Sequence, residues 1–225
     1  MKELKKVLYA AYIFLACIAT TPVIAGSSEF TGIYGALQGS AAGVELQGTY
    51  TDENGRNTRG SGGRFVPLAG AELGFSIPIG KTFFISVGGV HNFGSAEVLE
   101  ADDFDNNADI SLALSDHKTY YIMPSISVWE NSAVYVKYGK SSADLTATGD
   151  ATPTAGQDGL DGHTIAIGTT SMFGSGIFIR TEVGATEYDE IKYTDIGGTS
   201  SDGGTNTVVA SPKLAYGNVS IGFKF

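Results

Sequence analysis

Apolar and small polar residues alternate along most of the chain. In Glu72–Ile77, Leu73, Phe75 and Ile77 fall on one face, while Glu72, Gly74 and Ser76 fall on the other. After Pro78-Ile79-Gly80-Lys81 the pattern resumes, with Phe83, Ile85 and Val87 against Ser86 and Gly88. Further on, Tyr120, Ile122, Ile126 and Val128 oppose Tyr121, Met123, Ser125 and Ser127, and Val134, Val136 and Tyr138 oppose Tyr135, Lys137 and Gly139. Ile165 and Ile167 oppose Thr164, Ala166 and Gly168, and Ile177, Ile179 and Val183 oppose Arg180, Glu182 and Gly184. The last segment sets Val219, Ile221, Phe223 and Phe225 against Asn218, Ser220, Gly222 and Lys224. A period of two over short segments predicts β-strands with one face in an apolar medium.

The connections alternate too. Those at 78–81, 130–132 and about 173–176 are tight, whereas those at about 51–63, 98–111, 144–161 and 188–207 are long and polar. Seven connections predict eight strands, with both termini on the short-turn side. The fold class expected is therefore all-β, a single up-and-down antiparallel transmembrane β-barrel. A water-soluble sandwich would bury the same apolar rows. Lipid is favoured by the aromatics beside the tight turns, read as one interfacial girdle: Phe75, Phe83, Phe84, Trp129, Phe173, Phe178, Phe223 and Phe225. It is also favoured by charge on the inward rows, which a sandwich core rarely accepts. Two places strain the scheme. Ile33 and Leu37 have odd parity but Val44 and Leu46 have even parity, which a bulge within Gly39 to Gly43 would repair. Pro124 removes one ladder hydrogen bond.

The first residues differ from the rest. Met1 to Lys6 are rich in lysine, Val7 to Ala19 are apolar but too few to span a bilayer, and Val23 and Ala25 are small. This predicts a signal peptide over 1–25 and a barrel over 26–225, hence export to the bacterial outer membrane. A rival reading takes Phe14-Leu15-Ala16-Cys17 as a lipoprotein box with Cys17 acylated, although Phe14 stands where such boxes prefer leucine. Cleavage after Ala25 removes the one cysteine, three lysines and one glutamate. The formal charge then moves from −10 to −12, with 11 basic and 23 acidic residues left. A nucleic-acid partner needs the opposite sign. No later run approaches the ~18 apolar residues of a transmembrane helix.

Taken with Tyr135-Val136-Lys137-Tyr138-Gly139 and Arg180-Thr181-Glu182, the mature chain resembles the small outer-membrane β-barrels of the OmpA transmembrane-domain, OmpX and opacity-protein type, a porin-like group. The ending Asn218–Phe225 is similar to the C-terminal signal read by the barrel-assembly machinery. Asn218, Phe223 and Phe225 fit it, while Ser220 stands where glycine is usual. The resemblance implies the assembly machinery, periplasmic chaperones and outer-membrane lipids including lipopolysaccharide as partners. No peptidoglycan-binding domain of the OmpA kind is expected after Phe225. It implies a scaffold more than a function, because many functions share it.

An eight-stranded barrel is just wide enough to be filled by side chains, so Glu72, Lys137, Arg180 and Glu182 are expected to pair inside it. Two uses are open, a static polar plug or a gate that re-pairs and leaks. The acidic run Asp102 to Asp109 lacks the glycine and the closing glutamate of a calcium loop, so no metal is expected there. His91 has Ser95 and Glu97 nearby, and His117 follows Ser115 and Asp116, but neither segment matches a lipase motif. No catalytic residue and no cofactor is expected. The long connections suit surface contact with an extracellular ligand whose identity they do not reveal. The resulting expectation is a non-enzymatic envelope barrel with at most a narrow gated lumen. A small-solute channel is the alternative, with a rim lipid-modifying enzyme third.

Overall fold

The computed structural model describes residues 26–51, 54–104, 108–148, 159–194 and 207–225, without the side chains at 96–104, 108–112, 147–148, 175 and 193–194. The expected signal peptide, Cys17 and the acidic side chains from Asp102 to Asp109 lie outside this set. Ten strands follow in order: β1 Gly32–Thr51, β2 Asn57–Ile79, β3 Phe83–Phe93, β4 Ser95–Phe104, β5 Ala108–Trp129, β6 Ser132–Thr148, β7 Gly159–Phe173, β8 Ile177–Tyr188, β9 Ile191–Thr194 and β10 Thr207–Lys224. Each pairs antiparallel with its neighbour, and β10 pairs with β1, which closes the wall. Strand β4 carries on from β3 past Gly94 and pairs with β5, while β9 lies beyond β8 and pairs with β10. The wall therefore has eight positions. Closure leaves the lower wall no free edge, whereas among the described residues β4 pairs only with β5 and β9 only with β10.

The register also fixes the slope of the wall. From Gly35 the paired residues run through Leu73, Gly89, Tyr120, Lys140, His163, Glu187 and Lys213 to Glu45. One circuit thus climbs ten residues along β1. With eight positions this leans the strands roughly 40° from the axis.

The three tight turns stand as expected, at 80–82, 130–131 and 174–176. The first two long connections do not, and the third is shortened at both ends: β1 runs to Thr51, β2 begins at Asn57, β4 and β5 fill 95–104 and 108–111, β6 runs to Thr148 and β7 begins at Gly159. At 20, 23 and 22 residues, β1, β2 and β5 are about twice the ~9–11 residues that cross a bilayer. Their polar outer side chains read as loop, yet they are strand that has left the membrane.

The expected bulge in strand one is absent. The β1–β2 register is unbroken from Gly32 opposite Ser76 to Thr51 opposite Asn57. Ile33 and Leu37 point outward at 53% and 65% exposure, and Val44 and Leu46 point inward at 4% and 8%. Other strands repeat this switch without changing register. Tyr138 on β6 is outside but Ala143 and Leu145 are inside, and Val219 and Ile221 on β10 are outside but Leu214 and Ala210 are inside. The medium changes along the strand and the chain does not. Low in the wall the outside is apolar and the inside polar. Higher up the outside carries Glu45, Gln47, Asp144, Asp161, Glu187 and Lys213, and the inside holds a core of Val44, Leu46, Leu114, Leu145, Leu160, Ile191 and neighbours. The lower storey is built for lipid and the upper one for water. A register shift occurs instead in β5, between Ser115 and Lys118, where Asp116 has a φ of 51°.

Two girdle residues also need correcting. Phe84 and Phe178, with 4% and 2% exposure, face the lumen; Phe30 stacks on Phe84 at 5.0 Å, and Tyr34 meets Phe178 edge-on at 5.9 Å. They floor the barrel. The parity already put Phe84 beside Phe83 on the opposite face, and proximity to the turn obscured it. Phe75, Phe83, Trp129, Phe173, Phe223 and Phe225 do face outward. Ile126 keeps the outer register of Phe83 and Val134 but is only 5% exposed.

Candidate functional site

Inward parity and a narrow lumen bring four charges together between the aromatic floor and the upper apolar core. Glu72 comes from β2, Lys137 from β6, and Arg180 and Glu182 from β8. Arg180 Nη1 lies 2.6 Å from both carboxylate oxygens of Glu72, reaching across the barrel. Lys137 Nζ is 2.6 Å from Glu182 Oε2 and 4.0 Å from Glu72 Oε1. These side chains are at most 5% exposed. Two acids and two bases cancel, which is the condition under which such burial is tolerable.

Neutral groups complete the network. Tyr121 donates to Glu72 Oε1, Tyr135 to Glu182 Oε2 at 2.8 Å, Tyr216 to Glu182 Oε1 at 2.9 Å, and Arg180 Nε to Thr170 at 3.2 Å. The two cations also lie over rings: Lys137 Nζ is 4.6 Å from the Tyr121 centroid, and the Arg180 guanidinium is 5.2 Å from that of Tyr34. Above the charges an amide chain runs inward from the wall. Asn92 donates to His117 Nδ1 at 2.7 Å, Gln38 to Asn92 at 2.8 Å, and Asn218 to Gln38 at 3.3 Å. Around β5 to β8, Thr119, Ser141, Thr164 and Thr186 bond one another at 2.6–2.8 Å.

Glycine makes room for these rings. Tyr34, Tyr121, Tyr135, Tyr216 and Phe178 stand directly opposite Gly74, Gly88, Gly168, Gly184 and Gly222 on the adjacent strand. A methyl group at any of the five would run into the facing ring; at Gly88 it would lie 2.6 Å from the Tyr121 hydroxyl. Each ring lies flat over a bare stretch of backbone, and the tyrosine hydroxyls then end among the charges. The inward glycines are visible in sequence as part of the polar row, but their ring partners require the register.

Little space is left. The voids beside the network measure about 30 Å³ above it and 20 Å³ below. Each is about the size of a single water molecule. Tyr34 and Gln38, which the parity conflict in strand one had hidden, would have been found by carrying the Leu37 parity unbroken through β1.

The remaining candidates lie elsewhere. Asn218 faces inward beside Glu182 and Gln38, whereas Phe223 and Phe225 face outward on the closing strand at 42% and 76% exposure. The backbone N–H of Phe225 donates to the carbonyl of Ile33 at 2.9 Å, tying the last residue to strand one. His91 Nε2 is 2.9 Å from Asp116 Oδ1 on the outer face, while His117 is buried among the lumen amides. The two histidines do not share a site. Among the described residues, no group of three or more His, Cys, Asp or Glu side chains is arranged to hold a metal.

No protein-family model and no curated protein sequence matches the chain. Solved structures do. The outer membrane protein OprG from Pseudomonas aeruginosa is 12% identical, with 87% of this chain and 97% of that one covered at a TM-score of 0.55. The outer membrane protease OmpT from Escherichia coli is 7% identical, with 86% and 97% covered at a TM-score of 0.50. At such identities the likeness is one of fold, and that fold is the outer-membrane β-barrel.

Proposed function

We propose that this outer-membrane β-barrel is a closed, non-catalytic anchor that holds a rigid β-walled turret above the outer leaflet for surface contact. The observation that carries this reading is the filled lumen. An aromatic floor, a neutralised charge network and an apolar upper core follow one another along the axis, and among the described residues the enclosed voids above and below the network measure about 30 and 20 Å³. A permeating ion would have to part the ion pairs and then cross an apolar layer, and both steps oppose it. The upper core also stiffens the wall where lipid no longer supports it, giving the strand ends a fixed base. The test is conductance of the folded protein in planar bilayers, with sugar-driven swelling of vesicles beside it. Bare-membrane conductance and no swelling are expected. Long-lived open levels or swelling would overturn the closed reading.

A second reading, a gate, is favoured by one distance. Lys137 sits between two carboxylates, bound to Glu182 and 4.0 Å from Glu72. Re-pairing with Glu72 would loosen the network briefly. This reading calls for rare, short openings in the same recordings, more frequent in Glu72→Ala.

A further inference from the structure

The void of about 30 Å³ above the charge network is lined by Gln38, Val90, Asn92, Lys137, Glu182 and Asn218, among others. Two of these residues have polar capacity that the network does not use. Asn218 Nδ2 has two acceptors in reach, Gln38 Oε1 at 3.3 Å and Glu182 Oε1 at 3.5 Å. Turning the amide over would set its oxygen against both, so its neighbours fix its orientation. The Asn218 oxygen is then buried with no hydrogen-bond partner among the described residues. Lys137 has the opposite surplus. Of the three N–H groups of a lysine, one goes to Glu182 Oε2 at 2.6 Å, and one can face the Tyr121 ring, whose centroid is 4.6 Å from Nζ. Glu72 Oε1, at 4.0 Å, is beyond hydrogen-bond reach. The third N–H is left for the void. An orphaned acceptor and a spare charged donor thus line one small space, where leaving either unmatched is costly.

The occupant that suits this space must accept from Lys137 and donate to Asn218. An anion would answer the lysine but meet the Asn218 oxygen and the Glu182 carboxylate. A cation would answer those two but meet the lysine. A neutral molecule that both donates and accepts satisfies all three. Water is such a molecule, and it needs about 10–15 Å³ and two to four polar partners. The void below the network differs. It measures about 20 Å³ beside Phe30, Phe84, Met172 and Phe178, and no residue lining it carries an orphaned buried side-chain atom among the described residues.

We infer that the void beside Asn218 is a binding site for one water molecule, which accepts from Lys137, donates to Asn218, and so latches Lys137 on Glu182 rather than Glu72. The side matters because Lys137 stands between the two carboxylates. Asn218 lies beside Glu182, so a third partner there draws the lysine away from Glu72. The same water joins the charge network to the amide chain of Asn218, Gln38 and Asn92 that ends on His117. Glu72 and Arg180 do not line this void, so their pair stays dry. The inference rests on the closed-lumen reading and deepens it. Conductance tests closure and the spectra below test the water, so either can fail alone.

The experiment uses the folded, isotope-labelled barrel in detergent micelles, with water-selective NOE and ROE spectra. Cross-peaks are expected from water to the Lys137 Nζ protons and the Val90 methyl groups, with opposite signs in the two spectra. Equal signs would mark proton exchange instead. Val90→Ile adds one methylene to the wall of the void and removes no polar group. It is expected to expel the water, abolish the cross-peaks, shift the Lys137 Nζ resonance and lower the urea midpoint, because Lys137 and Asn218 are then left unmatched. In a void that holds no water, the same methylene would fill space and raise the midpoint. Parent spectra with these protons assigned and no dipolar cross-peak would overturn the proposal, and they decide it even should Val90→Ile fail to fold. Cross-peaks that survive Val90→Ile, a raised midpoint, or a Lys137 resonance that stays put once the water is gone would each overturn it too.

Discussion

Glu72→Gln is the sharpest test of the lumen, because it removes one charge and almost no volume. In the native barrel both Glu72 oxygens lie 2.6 Å from Arg180 Nη1, and Tyr121 donates to one of them. The only other acid in the network, Glu182, is held by Lys137, Tyr135 and Tyr216. Arg180 would thus keep its charge, 4% exposed, without a free carboxylate. Breaking one side of a buried pair costs about 3–5 kcal/mol, a large share of the roughly 5–15 kcal/mol of a typical fold. Removing both charges, as Glu72→Gln with Arg180→Met, should cost clearly less than the sum of the two single changes, since no unpaired charge remains. Urea unfolding in phospholipid vesicles measures this. Trp129, the one tryptophan, faces outward near the base and reports leaving the bilayer by its emission. A Glu72→Gln barrel within about 0.5 kcal/mol of the parent, with additive costs in the pair, would mean that the network is wet and loosely coupled; the dry-plug argument would then fail.

Two further outcomes follow from the wall itself. Gly74→Ala should lower stability by about 1–3 kcal/mol, because its methyl group overlaps the ring of Tyr34; Tyr34→Ala in the same chain should cost less than the two separate penalties combined, and strict additivity would refute the ring-over-glycine account. Deleting Phe225, which ends the strand that closes on Ile33, should leave unassembled protein in the periplasm, read as loss of the heat-modifiable band; a normal outer-membrane yield would remove Phe225 from the assembly signal.

The alternation of Leu73, Phe75 and Ile77 with Glu72 and Ser76 identifies a strand and its two faces from sequence alone, because a β-backbone sends successive side chains to opposite sides. The same property made the four lumen charges legible as inward residues, and the tight turns made the strand count legible. What each face meets was not legible. Val44 and Leu46 carry the same apolar signal as Ile33 and Leu37, but one pair packs on a dry core and the other faces lipid. That difference depends on height in the wall, and height depends on a ten-residue climb accumulated over eight neighbours distant in sequence. For the same reason no local pattern shows that Tyr34 covers Gly74, or that Arg180 reaches Glu72, 108 positions away. Alternation is a property of one strand's backbone. Which medium meets each face, and which partner crosses the lumen, exist only once the wall has closed.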